Sequence, residues 1–256
     1  MDPTQRFSNR VQFYAQTRPG YPPELLDFFR NELGLTLDSV IADIGSGTGI
    51  LTEMFLRNTN KVYGVEPNDA MRSFAEESLS RYPNFISIQG TAEQTNLPEG
   101  QIDLIVAAQA FHWFDRPKTR VEFQRTLVPH GWVVLVWNTR KTDTTPFLRA
   151  YEDLIVRFGT DYKAINHSNI TDSDLREFYQ SPFQRKDFDN FQTLDFEGVK
   201  GRLLSSSYMP MQDHPNYSAM LSELERIFKR YCATGNATIE YDTEVYYGHL
   251  DPAPAT

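Results

Sequence analysis

Five short apolar runs, separated by segments of helical length, fill residues 39 to 138 and restrict the chain to very few architectures. The runs are "SVIADI", "KVYGVE", "FISIQG", "IDLIVAA" and "WVVLVWN". Each is short and rich in β-branched or aromatic residues, as expected of strands buried on both faces of a parallel sheet. The intervening segments carry helical stripes. "GILTEMFLR" places Leu51, Met54 and Phe55 on one side, and "NDAMRSFAEESLSRY" places Met71, Phe74, Ala75 and Leu79 on one side behind Asn68 and Asp69 as caps. "RPKTRVEFQRTL" opens with Pro117 in a first turn, where its missing N–H costs little. Strand and helix in alternation imply an α/β fold, a doubly wound sheet with right-handed crossovers.

Beyond residue 138 the pattern changes. "TPFLRAYEDLIVRF" reads as a clean amphipathic helix with Phe147, Leu148, Tyr151, Leu154, Ile155 and Phe158 on its stripe, followed by a polar, irregular stretch to 182. "QRKDFDNFQTL" and "ATIEYDTEVYYGHL" alternate like strands, and "AMLSELERIFKRY" reads as a helix between them. We therefore expect one domain over 1–256. Its strand–helix core spans about 36–138, a helical cap insertion about 139–182, and a sheet-completing part about 183–250. The tail "DPAPAT" is expected to be loose.

Composition narrows the function. A formal charge of -9 opposes a nucleic-acid surface, which needs basic clusters. No apolar run approaches membrane-spanning length, and "MDPTQRFSNR" lacks a signal-peptide pattern, so a cytoplasmic enzyme is expected. The single cysteine, Cys232, excludes both an intrachain disulfide and a zinc-type cysteine cluster, and no metal is expected.

The loop "DIGSGTG" after the first strand decides the ligand. A dinucleotide site would read G-x-G-x-x-G, with its third glycine at position 50, where this chain has Ile50. Here the glycines are Gly45, Gly47 and Gly49, and Asp43 precedes them. A carboxylate is unhelpful beside a pyrophosphate and useful beside an ammonium. The ligand should therefore lack phosphates and carry a cation near the strand end, as S-adenosylmethionine does. Glu66, ending the second strand, is placed to accept both ribose hydroxyls of either ligand class.

With these residues in hand, the chain resembles the class I S-adenosylmethionine-dependent methyltransferases. "DIGSGTG" matches their first motif, Glu66 their acidic loop, and "GTAEQTNLPEGQIDLIVAAQAFHWF" their passage from third to fourth strand. The resemblance covers roughly residues 10 to 138. It implies a Rossmann-like seven-stranded sheet in the order 3-2-1-4-5-7-6 with strand 7 antiparallel. It also implies that Asp43, Gly45, Ser46, Gly47, Gly49, Glu66 and Pro67 hold the cofactor, that Ala92 and Glu93 meet the adenine, and that Gln109 and Ala110 lie near the methionine portion. The opening "RFSNRVQFYAQTRPGYPPELLDFF" is similar to a narrower branch, the trans-aconitate methyltransferases and other small-molecule enzymes. That similarity implies a covering segment over about 1–35, with Tyr14 and Arg18 above the cofactor.

Methyl transfer mainly requires alignment and exclusion of water, because the donor is already activated. A carboxylate acceptor needs no base, whereas a hydroxyl or carbon acid usually does, and His112 in "AFHWFD" is the candidate. His130, His167, His214 and His249 are weaker candidates. The pattern of Asn or Asp, two prolines and an aromatic that marks amino methylation is replaced here by "AQAFHWF", so a small-molecule partner is expected. Trp137, Arg140, Lys141, Tyr208 and Tyr246 are candidates to line the acceptor pocket, with Arg140 suited to a carboxylate. A nicotinamide-dependent oxidoreductase and a non-catalytic S-adenosylmethionine-binding protein are the alternatives.

Ligand stabilisation separates the cofactor classes. S-adenosylhomocysteine at ~100 times its dissociation constant should add about 2.7 kcal/mol of apparent stability and raise the melting temperature. NADH should leave it unchanged, and the opposite pattern would reverse the assignment.

Overall fold

A computed structural model describes residues 11–160, 162 and 170–250. The tail "DPAPAT", His167, and parts of the expected covering segment and cap lie outside the described residues. Helices α1 (Val11–Thr17) and α2 (Glu24–Asn31) lead into β1 (Val40–Ile44), α3 (Ile50–Arg57), β2 (Lys61–Val65), α4 (Asp69–Ser78), β3 (Phe85–Ile88) and β4 (Ile102–Ala108). A 3₁₀ turn (Phe111–Trp113) precedes α5 (Arg116–Thr126) and β5 (Leu127–Arg140). The chain continues through α6 (Pro146–Phe158), α7 (Asp172–Tyr179), β6 (Phe183–Leu194), α8 (Phe196–Leu204), α9 (Tyr217–Tyr231) and β7 (Ala237–Gly248).

The seven strands form one sheet in the order β3-β2-β1-β4-β5-β7-β6. Pairings among β1 to β5 are parallel, and β7 runs antiparallel to both β5 and β6, as the resemblance implied. Side-chain alternation sorts the buried residues into two layers. Ile41, Leu104, Val106, Val134 and Val136 pack toward α2 and α3, meeting Phe28, Phe29 and Phe55. Ala42, Ile44, Ile105, Ala107, Val133 and Leu135 face the other way, toward Phe111, Phe123, Phe178 and Tyr179. Residues flanking β1 on both sides are thus apolar, and the nearly continuous hydrophobic runs of the central strands follow from this.

Two boundaries differ from the sequence reading. Strand β5 begins at Leu127, and its pairing with β4 shifts register between Ile102 and Leu104. Pro129 and His130 (φ 62°) sit in that irregular stretch, so a distorted strand start precedes the run "WVVLVWN". The expected insertion at 139–182 is divided between two packing units. Helix α6 joins α8, α9 and the beginning of β7 in a separate core of Leu148, Tyr151, Leu203, Leu224, Ile227 and Tyr241. Helix α7 instead lies on the sheet, where Phe178 meets Phe111 at 4.7 Å. A helical stripe reveals that a face is buried, but not against which partner.

Helix α1 packs on α8 and α4. The turn after it is fastened by side chains from the sheet: Asn138 and Asn190 both donate to the Gly20 carbonyl, and Gln192 donates to that of Thr17. The helix–helix approach is close. A Cβ at Gly201 would stand 2.6 Å from Thr17 Cγ2, and the Thr17 hydroxyl is itself held on the Phe13 carbonyl at 2.6 Å. Gly201→Ala should therefore push α1 away from α8. Overpacking of this kind costs ~1–3 kcal/mol, against a gain of at most about 1 kcal/mol in helix propensity. Hydrogen exchange over residues 11–17 should accelerate, while exchange in β1 and β4 should not.

Candidate active site

The carboxyl ends of β1, β2, β3 and β4 enclose one cleft. Gly45 and Gly47 come from the loop after β1, and Glu66, Pro67 and Asn68 from the end of β2, with Met71 of α4 beside them. Thr91, Ala92 and Glu93 follow β3, and Ala108, Gln109, Ala110, Trp113 and Phe114 follow β4. Tyr14 of α1 closes the top. The cleft opens between β1 and β4, where α3 and α5 depart to opposite faces, which is where open α/β sheets bind ligands.

Local geometry explains why glycine is required. Gly45 has φ 70°, a left-handed conformation, and a Cβ there would lie 2.6 Å from the Ala110 Cβ. Gly47, also left-handed, turns its N–H toward Glu66 Oε2 at 2.9 Å. Gly49 does different work. It sits at the start of α3 with φ 85°, and a Cβ would meet Leu79 Cδ1 at 2.6 Å, so it lets α3 pack on α4 rather than lining the cleft. Ser46 is likewise absent from the lining. At the end of β4, Gln109 adopts φ 59°, held by its N–H on the Val136 carbonyl at 2.8 Å. A non-glycine residue strained in this way at a cleft wall is a mark of a functional position.

Two buried carboxylates stand at the cleft, Glu66 in its lining and Asp43 beneath it, outside the lining. Glu66 accepts from the backbone N–H groups of Gly47 and Asn68. Burial still raises its pKa, against the pull of those bonds and of Arg72. Asp43 lies deeper, 1% exposed. Its Oδ2 accepts from the Thr52 hydroxyl at 2.7 Å, and its Oδ1 is buried without a partner. Burial pushes Asp43 up to about 7, and the charge of Glu66 adds to the effect. An orphaned carboxylate oxygen beneath a glycine cradle fits a cationic ligand such as the ammonium of S-adenosylmethionine.

A second polar cluster lies under the cap. Arg18 follows α1, Arg140 ends β5 and Arg202 belongs to α8, and Tyr208 stands in electrostatic reach of all three. Arg140 is paired with Glu152, its guanidinium lies 5.2 Å from the Tyr151 ring centre, and its Nη1 is buried without a partner. Tyr21 links the two regions, since its phenol is in electrostatic reach of Tyr14, Asp43 and Arg18.

Several expected residues are placed elsewhere. Arg18 is absent from the cleft lining; its Nη2 donates to the Ser205 carbonyl at 3.1 Å. Lys141 directly follows the end of β5, its N–H still bonded to the Glu240 carbonyl of β7, and its side chain pairs with Asp242 and Asp189 rather than joining Arg140. Trp137 is buried within the sheet layer against Phe111 and Tyr246. Tyr246 pairs across from Leu135, short of the Arg140 end of β5, and its hydroxyl accepts from Arg185. The His112 ring lies tilted 45° against Trp113 at 4.8 Å, and the cleft is lined by its neighbours Trp113 and Phe114 rather than by His112. Glu93 lines the cleft but also accepts from the Asp115 N–H at 2.8 Å, tying the third-strand loop to the start of α5. As site residues, Asn68, Met71, Thr91, Trp113, Phe114 and Tyr21 escaped the sequence reading, which took Asn68 for a cap and Met71 for a core residue. The first five adjoin motif residues and could have been found by extending each motif by one turn; Tyr21 carries no signal beyond its Gly–Tyr–Pro context. Among the described residues no group of His, Cys, Asp or Glu could hold a metal, and no helix is long and apolar enough to cross a membrane.

The state of Asp43 links stability to pH. Its folded pKa is raised above the ordinary 3.8, so between about pH 4 and 7 the folded state holds the proton more tightly than the unfolded state. Stability from this group is therefore greatest below pH 4 and falls as the pH rises through 7. A difference of that size corresponds to about 4 kcal/mol at most. Asp43→Asn should raise the melting temperature of the ligand-free protein at pH 8 and raise it far less at pH 4.5. A thermal scan at the two pH values checks this.

The comparisons with known proteins agree with the geometry. A family model described as a methyltransferase domain matches residues 42–135. An uncharacterized methyltransferase-like protein of Schizosaccharomyces pombe is 30% identical across 96% of either chain. An uncharacterized methyltransferase of Mycobacterium tuberculosis is 32% identical across 62% of either chain. Among solved structures, one described as a type II methyltransferase of Anaeromyxobacter dehalogenans has a TM-score of 0.71 at 21% identity, covering 92% of this chain and 99% of that one. Phosphoethanolamine N-methyltransferase 2 of Haemonchus contortus, crystallised with S-adenosylmethionine, has a TM-score of 0.58 at 14% identity, covering 98% of this chain and 59% of that one. The chain belongs to the class I S-adenosylmethionine-dependent methyltransferases.

Proposed function

We propose that this methyltransferase acts on a small molecule and that the acceptor atom is a carboxylate oxygen. The observation that carries the reading is Arg140. It stands at the end of β5 beneath the cap with its side chain 9% exposed, and one guanidinium nitrogen has no partner although Glu152 occupies another. A buried guanidinium with free hydrogen-bonding capacity is suited to a carboxylate through parallel N–H donors.

S-adenosylmethionine supplies the methyl group, bound to a sulfonium. In this reading Asp43 holds the ammonium end, the left-handed turns at Gly45 and Gly47 let the backbone approach, and Glu66 accepts the ribose hydroxyls. Ala92 and Glu93 flank the adenine, while Gln109 and Ala110 border the methionine portion with Tyr14 above. The contribution of the chain is alignment and desolvation, because a carboxylate is already a nucleophile at neutral pH. Hydroxyl or carbon methylation with His112 as base is the second reading, favoured by the position of His112 between the cleft-lining residues Ala110 and Trp113.

Release of S-adenosylhomocysteine across a panel of small carboxylic acids and phenols tests the proposal. With an acid accepted as substrate, Arg140→Lys should lower turnover at least tenfold with little change in cofactor affinity, and His112→Ala should matter little. Acceptance of phenols alone, with activity lost in His112→Ala together with the basic limb of the pH profile, would overturn the carboxylate reading.

A further inference from the structure

We propose that two copies of this chain associate edge to edge through β6, antiparallel about a two-fold axis at Asp187, so that the sheet of one copy continues into the sheet of the other. β6 is the last strand of the sheet and pairs on one side only, with β7. Which of its backbone groups face outward follows from the ladder. The Lys141 N–H is bonded to the Glu240 carbonyl at 2.8 Å, so Glu240 and every second residue after it, Asp242, Glu244 and Tyr246, turn their backbone groups toward β5. Phe191, Asp189, Asp187 and Arg185 stand opposite these four and therefore turn theirs away from β7. The Phe191 N–H, bonded to the neighbouring Asn190 Oδ1 at 2.8 Å, agrees with that assignment. Among the described residues no other group bonds to the outer backbone of β6.

This edge lacks the usual devices against association. β6 runs for 12 residues in unbroken register with β7, with neither a bulge nor a proline inside it. It is also held rigidly from one face. Lys186 pairs with Glu32, Phe188 meets Phe28 at 5.9 Å, and Asn190 and Gln192 fasten the turn after α1. A strand already fixed in extended form loses little freedom when it pairs again.

Charges on an edge oppose association only where like meets like, and here the pattern complements itself. An axis at Asp187 sets Arg185 of each copy opposite Asp189 of the other, and Phe183 of each opposite Phe191 of the other. Strand alternation puts these residues on one face. Asp189 has its side chain 94% exposed, and Phe191 is 68% exposed. Phe183 is stacked on Tyr179 at 5.1 Å, so the incoming Phe191 would extend an existing aromatic row. Asp187 meets its own copy, but each already accepts from its own Arg185 Nε at 2.8 Å. Neighbouring registers do worse. An axis at Phe188 sets Asp187 against Asp189 twice. An axis at Lys186 sets Lys186 against itself and carries Phe191 past the start of the facing strand.

Sedimentation velocity of the full chain over a range of concentrations supplies the test, and a reversible dimer is expected. Asp187→Pro removes an N–H that faces away from β7, so it should yield a monomer with its own sheet intact. Arg185→Asp and Asp189→Arg should each weaken association about tenfold or more, because each sets like charges opposite one another twice. The two single variants mixed together should form a heterodimer, and the double variant should associate like the parent. A thermal shift with S-adenosylhomocysteine verifies that each variant is folded. A monomer at every concentration would overturn the proposal. Slow amide exchange at 185, 187 and 189 in that monomer would show that the edge is covered by another segment of this chain. A dimer that survives Asp187→Pro, or single variants that fail to associate when mixed, would overturn the assignment to β6 in this register.

Discussion

The site depends on the parting of two neighbouring strands. β1 and β4 lie side by side in the sheet, yet the chain leaving β1 enters α3 on one face and the chain leaving β4 enters α5 on the other. Their loops can then meet only across the top of the sheet, where Gly45 abuts Ala110. Any side chain at position 45 would force the two loops apart. The glycine pattern is thus a condition for bringing backbone and cleft wall together, and only secondarily a condition for binding.

Electrostatic asymmetry follows from that layout. Asp43 and Glu66 make the cofactor side acidic, whereas Arg18, Arg140 and Arg202 make the neighbouring region beneath the cap basic. Under the proposed reading, a cationic donor and an anionic acceptor are drawn from opposite sides. Methyl transfer between them cancels both charges, and such a reaction gains from a dry, low-dielectric setting. Tyrosines 14, 21, 151, 208 and 241 surround the basic region, offering hydrogen bonds without opposing charge.

The sheet core was legible in the sequence because its information is local. Continuous apolar runs and capped amphipathic helices each state their own conformation, and "DIGSGTG" and Glu66 name their own places in the cleft. What sequence could not disclose depends on distance. The stripe of α6 does not say that α8 and α9 complete its core, and the adjacency of Arg140 and Lys141 conceals that one pairs with Glu152 and the other with Asp242 and Asp189. Arg18 was readable as a cation near the cofactor, but its bond to Ser205, 187 positions away, belongs to tertiary structure alone. Glycine itself was ambiguous: Gly45 and Gly49 look alike in the motif, yet one shapes the cleft and the other lets two helices touch.

The place of β7 has a consequence for how the chain assembles during synthesis. It follows every other element in sequence, yet in space it lies between β5 and β6. By the time β5 has emerged, the strands and loops that form the cofactor cleft are all present, apart from what is added by later packing. β6 has no strand to pair with until β7 arrives, and the cap core lacks Ala237, Ile239 and Tyr241 for the same interval. The donor half of the protein can thus be built on a growing chain, while the half holding Arg202 waits for the hydroxyl of Tyr241. A nascent chain halted before residue 237 would expose the open edge of β5 and an unpaired β6, a form in which chaperones and misassociation compete with folding.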